Sequence, residues 1–168
     1  PTAQPNQEHF QGTAPATWTF GAISFVGRFA IANGNREWLT YFGTGENALR
    51  SIAALGEDHL FIGGSTRTDL PPLDETAPFG STYWGPEADA DGILLRLNVN
   101  DRLDWRTHLP GDGYDEVREV ATGTSKVAAA GGTTSTNMIL VDGGANDYSV
   151  GSQGGSDAFL YEFNSNCV

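Results

Sequence analysis

The stretch GENALRSIAALGEDHLFIGGSTRT, from Gly45 to Thr68, returns as GYDEVREVATGTSKVAAAGGTTST, from Gly113 to Thr136. The two copies align at an offset of 68 residues without a gap. Identical residues coincide along the whole stretch, among them Arg50 with Arg118, Ala53 with Ala121, and Gly63-Gly64 with Gly131-Gly132. A fixed period of this length predicts an architecture built from repeated units.

A second pair of matching segments lies upstream of each copy. These are FVGRFAIANGNREWLTYFG, from Phe25 to Gly43, and ILLRLNVNDRLDWRTHLPG, from Ile93 to Gly111. In each segment an apolar strand runs into a polar turn and resumes in a strand that contains Trp38 or Trp105, which is the pattern of a β-hairpin. Because the two tryptophans share one repeat position, we expect both to pack in the core.

The unit begins a third time near the end of the chain, where Asp157 to Phe163 aligns with Asp91 to Leu97. Each unit holds four predicted strands, which is typical of a β-propeller blade. We therefore predict an all-β, incomplete propeller of about two and a half four-stranded repeats. The predicted organisation is an extended arm with the first strand, two blades and the start of a third, at residues 1–22, 23–90, 91–156 and 157–168.

Composition limits the partners of the chain. Nine Lys and Arg against 21 Asp and Glu give a net charge of −12, which disfavours nucleic acid and anionic membrane surfaces. No apolar run is long enough for a membrane helix, so membrane insertion is not expected. Cys167 is the single cysteine and excludes an intrachain disulfide. The start at Pro1, without Met or a leader pattern, indicates a processed chain or a fragment.

Several segments resemble the SBBP family of bacterial β-propeller repeats. The similar segments are WLTYFG from Trp38, SIAAL from Ser51, LFIGGSTRT from Leu60, DGILLRLN from Asp91 and DAFLYEFN from Asp157. The resemblance implies a secreted or cell-surface protein of the bacterial envelope, with the repeats as scaffold or adhesion modules. It supplies no catalytic residues, since the family is not defined by a catalytic constellation. The chain departs from the pattern at Ile23, which stands where the later copies have Asp.

The segment EADADG is a candidate calcium site. It places the carboxylates of Glu87, Asp89 and Asp91 at alternate positions before a glycine, as the first half of a calcium loop does. The twelfth position, where an EF-hand has Glu, is Asn98. Asp91 recurs as Asp157, so the alternatives are a structural role at the start of the strand and a solvated acidic turn. No other cofactor is predicted.

Phe79, Tyr83 and Trp84 form an aromatic cluster in the long loop between the two copies. Exposed aromatic side chains stack on sugars or anchor a partner protein, whereas buried ones would only hold the loop against the blade. The sequence leaves both alternatives open. We therefore consider these three residues candidate contacts for a protein or a glycan.

A second acidic cluster gives the alternative of an enzyme. Asp112, Asp115 and Glu116 lie together in PGDGYDE, and paired carboxylates perform acid and base chemistry in glycosidases. Against a zinc site, the three histidines occupy unrelated repeat positions, namely His9, His59 and His108. The favoured hypothesis is a non-enzymatic structural, adhesion or protein-interaction module whose partners are other subunits or further copies that complete the propeller. The alternative is a propeller hydrolase or lyase acting on polysaccharide.

Overall fold

A computed structural model describes residues 10–11, 24–42, 47–68, 89–98, 100–139 and 155–164. These residues form ten strands and no helix. The strands are β1 (Phe10–Gln11), β2 (Phe25–Phe29), β3 (Arg36–Phe42), β4 (Asn47–Leu55), β5 (His59–Thr66), β6 (Asp91–Asn98), β7 (Leu103–Leu109), β8 (Asp115–Thr122), β9 (Lys126–Thr133) and β10 (Asp157–Asn164). In this part of the chain we find no helix with the length and apolar character that crossing a membrane requires.

The strands form three antiparallel sheets. The first sheet has the order β1-β3-β2, the central sheet β4-β5-β6-β7, and the third sheet β10-β9-β8. The all-β prediction is confirmed. Within the described residues the three sheets do not close on one another, and each is joined to its neighbour through an apolar core.

Strands β5, β6 and β7 of the central sheet are buried on both faces, whereas β4 at its edge exposes Ile52. On one face Ile93, Leu95 and Leu97 pack against Val26 and Trp38 of the first sheet. On the other face Leu94, Phe61 and Trp105 contact apolar side chains of the third sheet. Alternate residues of β6 thus face opposite neighbours, which explains the uninterrupted apolar run ILL in its sequence. Each fully buried side chain of this kind contributes roughly 1.5–3 kcal/mol.

Two hairpins confirm the repeat in detail. The β2–β3 hairpin has an irregular register between Arg28 and Phe29, and the β6–β7 hairpin has one at the equivalent step between Arg96 and Leu97. In both hairpins the tryptophan lies opposite the arginine across the strand pair. Both tryptophans are buried, as predicted.

The sheets and the sequence units are displaced relative to each other. The central sheet takes β4 and β5 from residues 23–90 and β6 and β7 from residues 91–156. The third sheet likewise adds β10 to the pair β8 and β9. Each of these sheets therefore joins the second half of one sequence unit to the first half of the next.

The ungapped alignment is one residue out of register in β9. Gly64 pairs with Leu49 in the central sheet, and it is Gly131, not Gly132, that has the corresponding place opposite Val117. The β8–β9 turn is one residue shorter than the β4–β5 turn. Two residues separate Gly123 from Lys126, which are joined by a hydrogen bond from Gly123 N to Lys126 O, whereas three separate the paired residues Leu55 and His59. Gly64 and Gly131 both lie at β-bulges in the partner strand.

Candidate functional site

Several predicted site residues lie outside the part of the chain that the structure describes. They include the three loop aromatics Phe79, Tyr83 and Trp84, the first calcium candidate Glu87, and His9 and Cys167. The proposed glycan or partner contacts of the aromatic cluster therefore stay predictions.

Asp91 is the first residue of β6, and its side chain is fully buried. Its Oδ2 lies 3.1 Å from Nδ1 of His108, which is itself fully buried near the end of β7. Antiparallel pairing of β6 with β7 brings Asp91 and His108 together, because their chain neighbours Gly92 and Leu109 lie opposite each other. Nε2 of His108 has no hydrogen-bond partner among the described residues.

Calcium binding at this place remains a prediction. The described residues contain no group of three or more His, Cys, Asp and Glu side chains arranged to hold a metal ion. Asp89 is half-buried beside β6, while the Asp91 carboxylate contacts His108. The environment of Asp91 favours the structural role that its recurrence as Asp157 had suggested.

Asp115 begins β8 and is also fully buried. Ser135 Oγ lies 2.9 and 2.8 Å from the two carboxylate oxygens, and the backbone N of Asp115 donates to Ala90 O at 2.6 Å. Burial raises the pKa of Asp115 to about 6, and the negative charges of Asp91 and Asp112 act in the same direction. Hydrogen bonds from Thr133 and Ser135 oppose the rise.

Asp91, His108, Asp115 and Ser135 thus form a polar cluster where the central sheet joins the third; we call it the joint cluster. The two acids of this cluster are candidates from the sequence, whereas the contact with His108 and the role of Ser135 are not predicted by it. The sequence does contain one sign that Asp115 has a structural role, because the polar residue Asn47 has the same repeat position.

Asn47 shows what this repeat position does at the preceding joint. It is buried, its Nδ2 donates to Phe42 O at 2.8 Å, and its Oδ1 accepts from Ser24 N at 3.3 Å. The same repeat position therefore ties the start of a sheet to the preceding segment in both copies. At the first joint the Asn47 side chain makes this contact, whereas at the second the backbone N of Asp115 makes it and the Asp115 carboxylate bonds Ser135.

Substitution of Asp115 by Asn is expected to change how stability depends on pH. Because the pKa of Asp115 is about 6 in the folded protein against an ordinary value of 3.8, the folded state favours the protonated carboxyl. The associated stability is present below about pH 4 and is lost as the pH rises through 6. The Asp115→Asn variant should therefore gain stability relative to the wild type between pH 4 and 6, with a constant difference above about pH 7. Thermal unfolding of both proteins from pH 4 to 8 measures this; a difference that is constant over the whole range would contradict the assignment.

Asp112 and Glu116 have hydrogen-bond partners outside the joint cluster. Asp112 is exposed, and Thr136 lowers its pKa by donating from both its hydroxyl at 2.7 Å and its backbone N at 2.6 Å. Burial raises the pKa of Glu116, but the hydrogen bond and charge of Arg50 and the hydrogen bond from Arg118 outweigh it, so that the pKa lies below its usual value. Asp115 and Glu116 are consecutive in a strand, so their side chains leave opposite faces.

An open cavity of about 330 Å³ lies at one end of the third sheet. Its lining includes Tyr114, Arg118 and Asp157 together with small residues of β9 and β10. The carboxylates of Asp112, Asp115 and Glu116 do not line it. The residues predicted for acid and base chemistry therefore do not converge on this cavity.

Polar contacts also connect the central sheet to the third. Arg50 Nε lies 2.7 Å from Glu116 Oε1, and Ser51 Oγ accepts a hydrogen bond from Val120 N at 3.0 Å. The Thr122 hydroxyl donates to the carbonyl of Ala54. These contacts fix the position of β8 on β4, the first strand of the preceding sheet.

Large apolar side chains are exposed on all three sheets and in the β2–β3 turn. In the first sheet Phe25 is 62% and Phe29 54% exposed, and in the third sheet Leu160 is 72% exposed. Ile52 in β4 is 56% exposed, and Ile31 in the β2–β3 turn is fully exposed. On the outer face of the first sheet, Phe25 lies opposite Tyr41, and Gly27 lies opposite Leu39.

Comparison with known proteins adds no family assignment, because no family model matches the chain and no curated protein matches it significantly. The resemblance to the SBBP repeats therefore stays a prediction. What the geometry defines is a stack of antiparallel sheets joined by an apolar core and by buried polar contacts.

Proposed function

We propose that this chain is a non-enzymatic structural and protein-interaction module, built of β-propeller-type repeats and working as part of a larger assembly. In this account the three sheets are consecutive blades, with β4 to β7 as a complete four-stranded one. The resemblance to SBBP repeats supports a secreted or cell-surface location in bacteria, with adhesion as the context.

The observation that carries the proposal is the contrast between the central sheet and its neighbours. Strands β5 to β7 of the central sheet are covered on both faces, whereas the outer faces of the first and third sheets expose Phe25, Phe29 and Leu160. Phe25 and Phe29 share one face of β2, and their exposed apolar surface supports an interaction with a partner. The module thus offers a partner the same kind of surface that its own sheets use to join.

The environment of the acidic residues supports a structural role over catalysis. Asp91 and Asp115 come from neighbouring sheets and approach each other, but both are fully buried and hydrogen-bonded to His108 and Ser135 respectively. Glu116 is engaged by Arg50 at the same joint. A glycosidase needs its two carboxyl groups on either side of a bound sugar, and these groups are placed between sheets instead.

Native mass is the test of this function. Material recovered gently from its source should have, by light scattering, a mass well above the 17.9 kDa of the chain. The same preparation should release no reducing ends from polysaccharides. A folded monomer without any partner would contradict the interaction module, and hydrolysis that is lost in an Asp115→Asn or Glu116→Gln variant would favour the enzyme.

A further inference from the structure

The exposed apolar residues of the first sheet occupy repeat positions that are buried in the central sheet. Phe25 and Phe29 align with Ile93 and Leu97, as the matching hairpin registers show. Ile93 is 0% and Leu97 is 1% exposed, because the first sheet lies against them. The outer face of the first sheet therefore corresponds to the face of the central sheet that receives the preceding sheet. We call it the receiving face.

The third sheet shows the converse. Leu160 aligns with Leu94, which is fully buried because the third sheet covers it. Leu160 instead points away from Tyr161 and Phe163, which pack towards the central sheet. It lies opposite Ala130, whose small side chain leaves Leu160 largely exposed. The outer face of the third sheet thus corresponds to the face on which a following sheet would sit, and we call it the following face.

The joint between the first and central sheets shows how these two faces meet. Val26 has the repeat position of Leu94 and Leu160, and it packs in one apolar cluster with Ile93 and Leu97. On the outer faces, Leu160 has the repeat position of Val26, and Phe25 and Phe29 have the positions of Ile93 and Leu97. The outer faces therefore present the same set of repeat positions that pack together at this internal joint. The internal joint thus pairs a receiving face with a following face, and the two outer faces are one of each kind.

We propose that the receiving face of one chain binds the following face of a second copy, with Leu160 packed against Phe25 and Phe29 of the neighbour. This inference rests on the proposed function and names its partner and its contact residues. The interface is heterologous, since different patches meet, and it leads to a closed ring or to head-to-tail growth. Two copies bring six sheets, which lies within the roughly four to eight blades of closed propellers.

Complementary variants test the polarity of this contact. A Phe25→Asp/Phe29→Asp double variant lacks the receiving face, and a Leu160→Asp variant lacks the following face. Because a charge then faces an apolar partner, each variant alone should associate at least about 30-fold more weakly than the wild type and have the mass of a single chain. An equimolar mixture should form a complex of one copy of each, because one intact face of each kind remains.

Ile31 provides the matched control. It is a fully exposed apolar residue in the β2–β3 turn, and it lies in neither outer face. The Ile31→Asp variant should therefore associate like the wild type. Sedimentation velocity over a range of concentrations measures all of these proteins, and circular dichroism confirms that each variant is folded.

A measurement on the wild type alone does not depend on the variants. The methyl resonances of Leu160 should shift as the protein concentration rises, while those of Ile31 should not. A wild type that stays at 17.9 kDa, or a mixture in which the two variants do not combine while the Leu160 methyl shifts stay constant, would overturn the proposal. If in that case the source material still has a high native mass, the proposed function stands and only the partner face is wrong.

Discussion

Replacement of Gly131 by Ala is expected to lower the free energy of unfolding by about 3 kcal/mol, a large effect for a single methyl group. A Cβ at this position would overlap the carbonyl oxygen of Glu116 and lie 2.7 Å from the ring of Phe159. Gly64 has the same environment in the central sheet, where the added Cβ would overlap the carbonyl oxygen of Ala48. The backbone of the bulged strand cannot withdraw without breaking its pairing, so Gly64→Ala should be similarly costly.

Gly132 is the control for this prediction, because it is adjacent in the same strand and its Cβ would meet only Arg118 at an ordinary 3.5 Å. The Gly132→Ala variant should differ from the wild type by no more than about 0.5 kcal/mol. Chemical denaturation at equilibrium gives all three free energies. Equal effects of Gly131→Ala and Gly132→Ala would show that the register of β9 is not the one described.

The sequence allowed the strands and hairpins to be predicted because their signals are local. Alternating apolar residues, a polar turn and a tryptophan strand predicted β2–β3 and β6–β7, and the structure has both hairpins. The recurrence of the whole pattern predicted an all-β repeat architecture, which needs no knowledge of how the units contact each other.

The register of β9 could not be predicted in the same way. Two adjacent glycines in each copy allowed an ungapped alignment that satisfied the identities, although the turn before β9 is one residue shorter. Only strand pairing distinguishes Gly131 from Gly132, because a slip of one residue changes the face to which every side chain of a strand points. The displacement of the sheets from the sequence units could not be predicted either. A sequence repeat has no intrinsic first residue, so the alignment does not show which strands share a sheet.

The joint cluster was only partly visible in the sequence. Asp91 and Asp115 are recognisable as acids in the sequence, but they are 24 residues apart and meet only because two sheets stack. The sequence shows His108 only as a histidine without other metal ligands at suitable spacing, because its contact with Asp91 depends on the β6–β7 pairing. Burial decides the chemistry of these groups, and burial is a property of the packed sheets.

Substitution of Leu94 by Ala is the second prediction with a large effect. Leu94 is fully buried between the central and third sheets, so the variant should lose about 2–5 kcal/mol of stability. Leu160 has the same repeat position and the same side chain but is 72% exposed. The Leu160→Ala variant should lose no more than about 0.5 kcal/mol in dilute solution, where single chains predominate.

This pair of free energies, measured by denaturation at low protein concentration, tests most directly the claim that coverage by a neighbouring sheet decides the role of each repeat position. The stacked arrangement predicts a large loss for Leu94→Ala and a small one for Leu160→Ala. Similar losses for the two variants, or a larger loss at Leu160, would contradict the stack and with it the outer faces on which the proposed assembly depends.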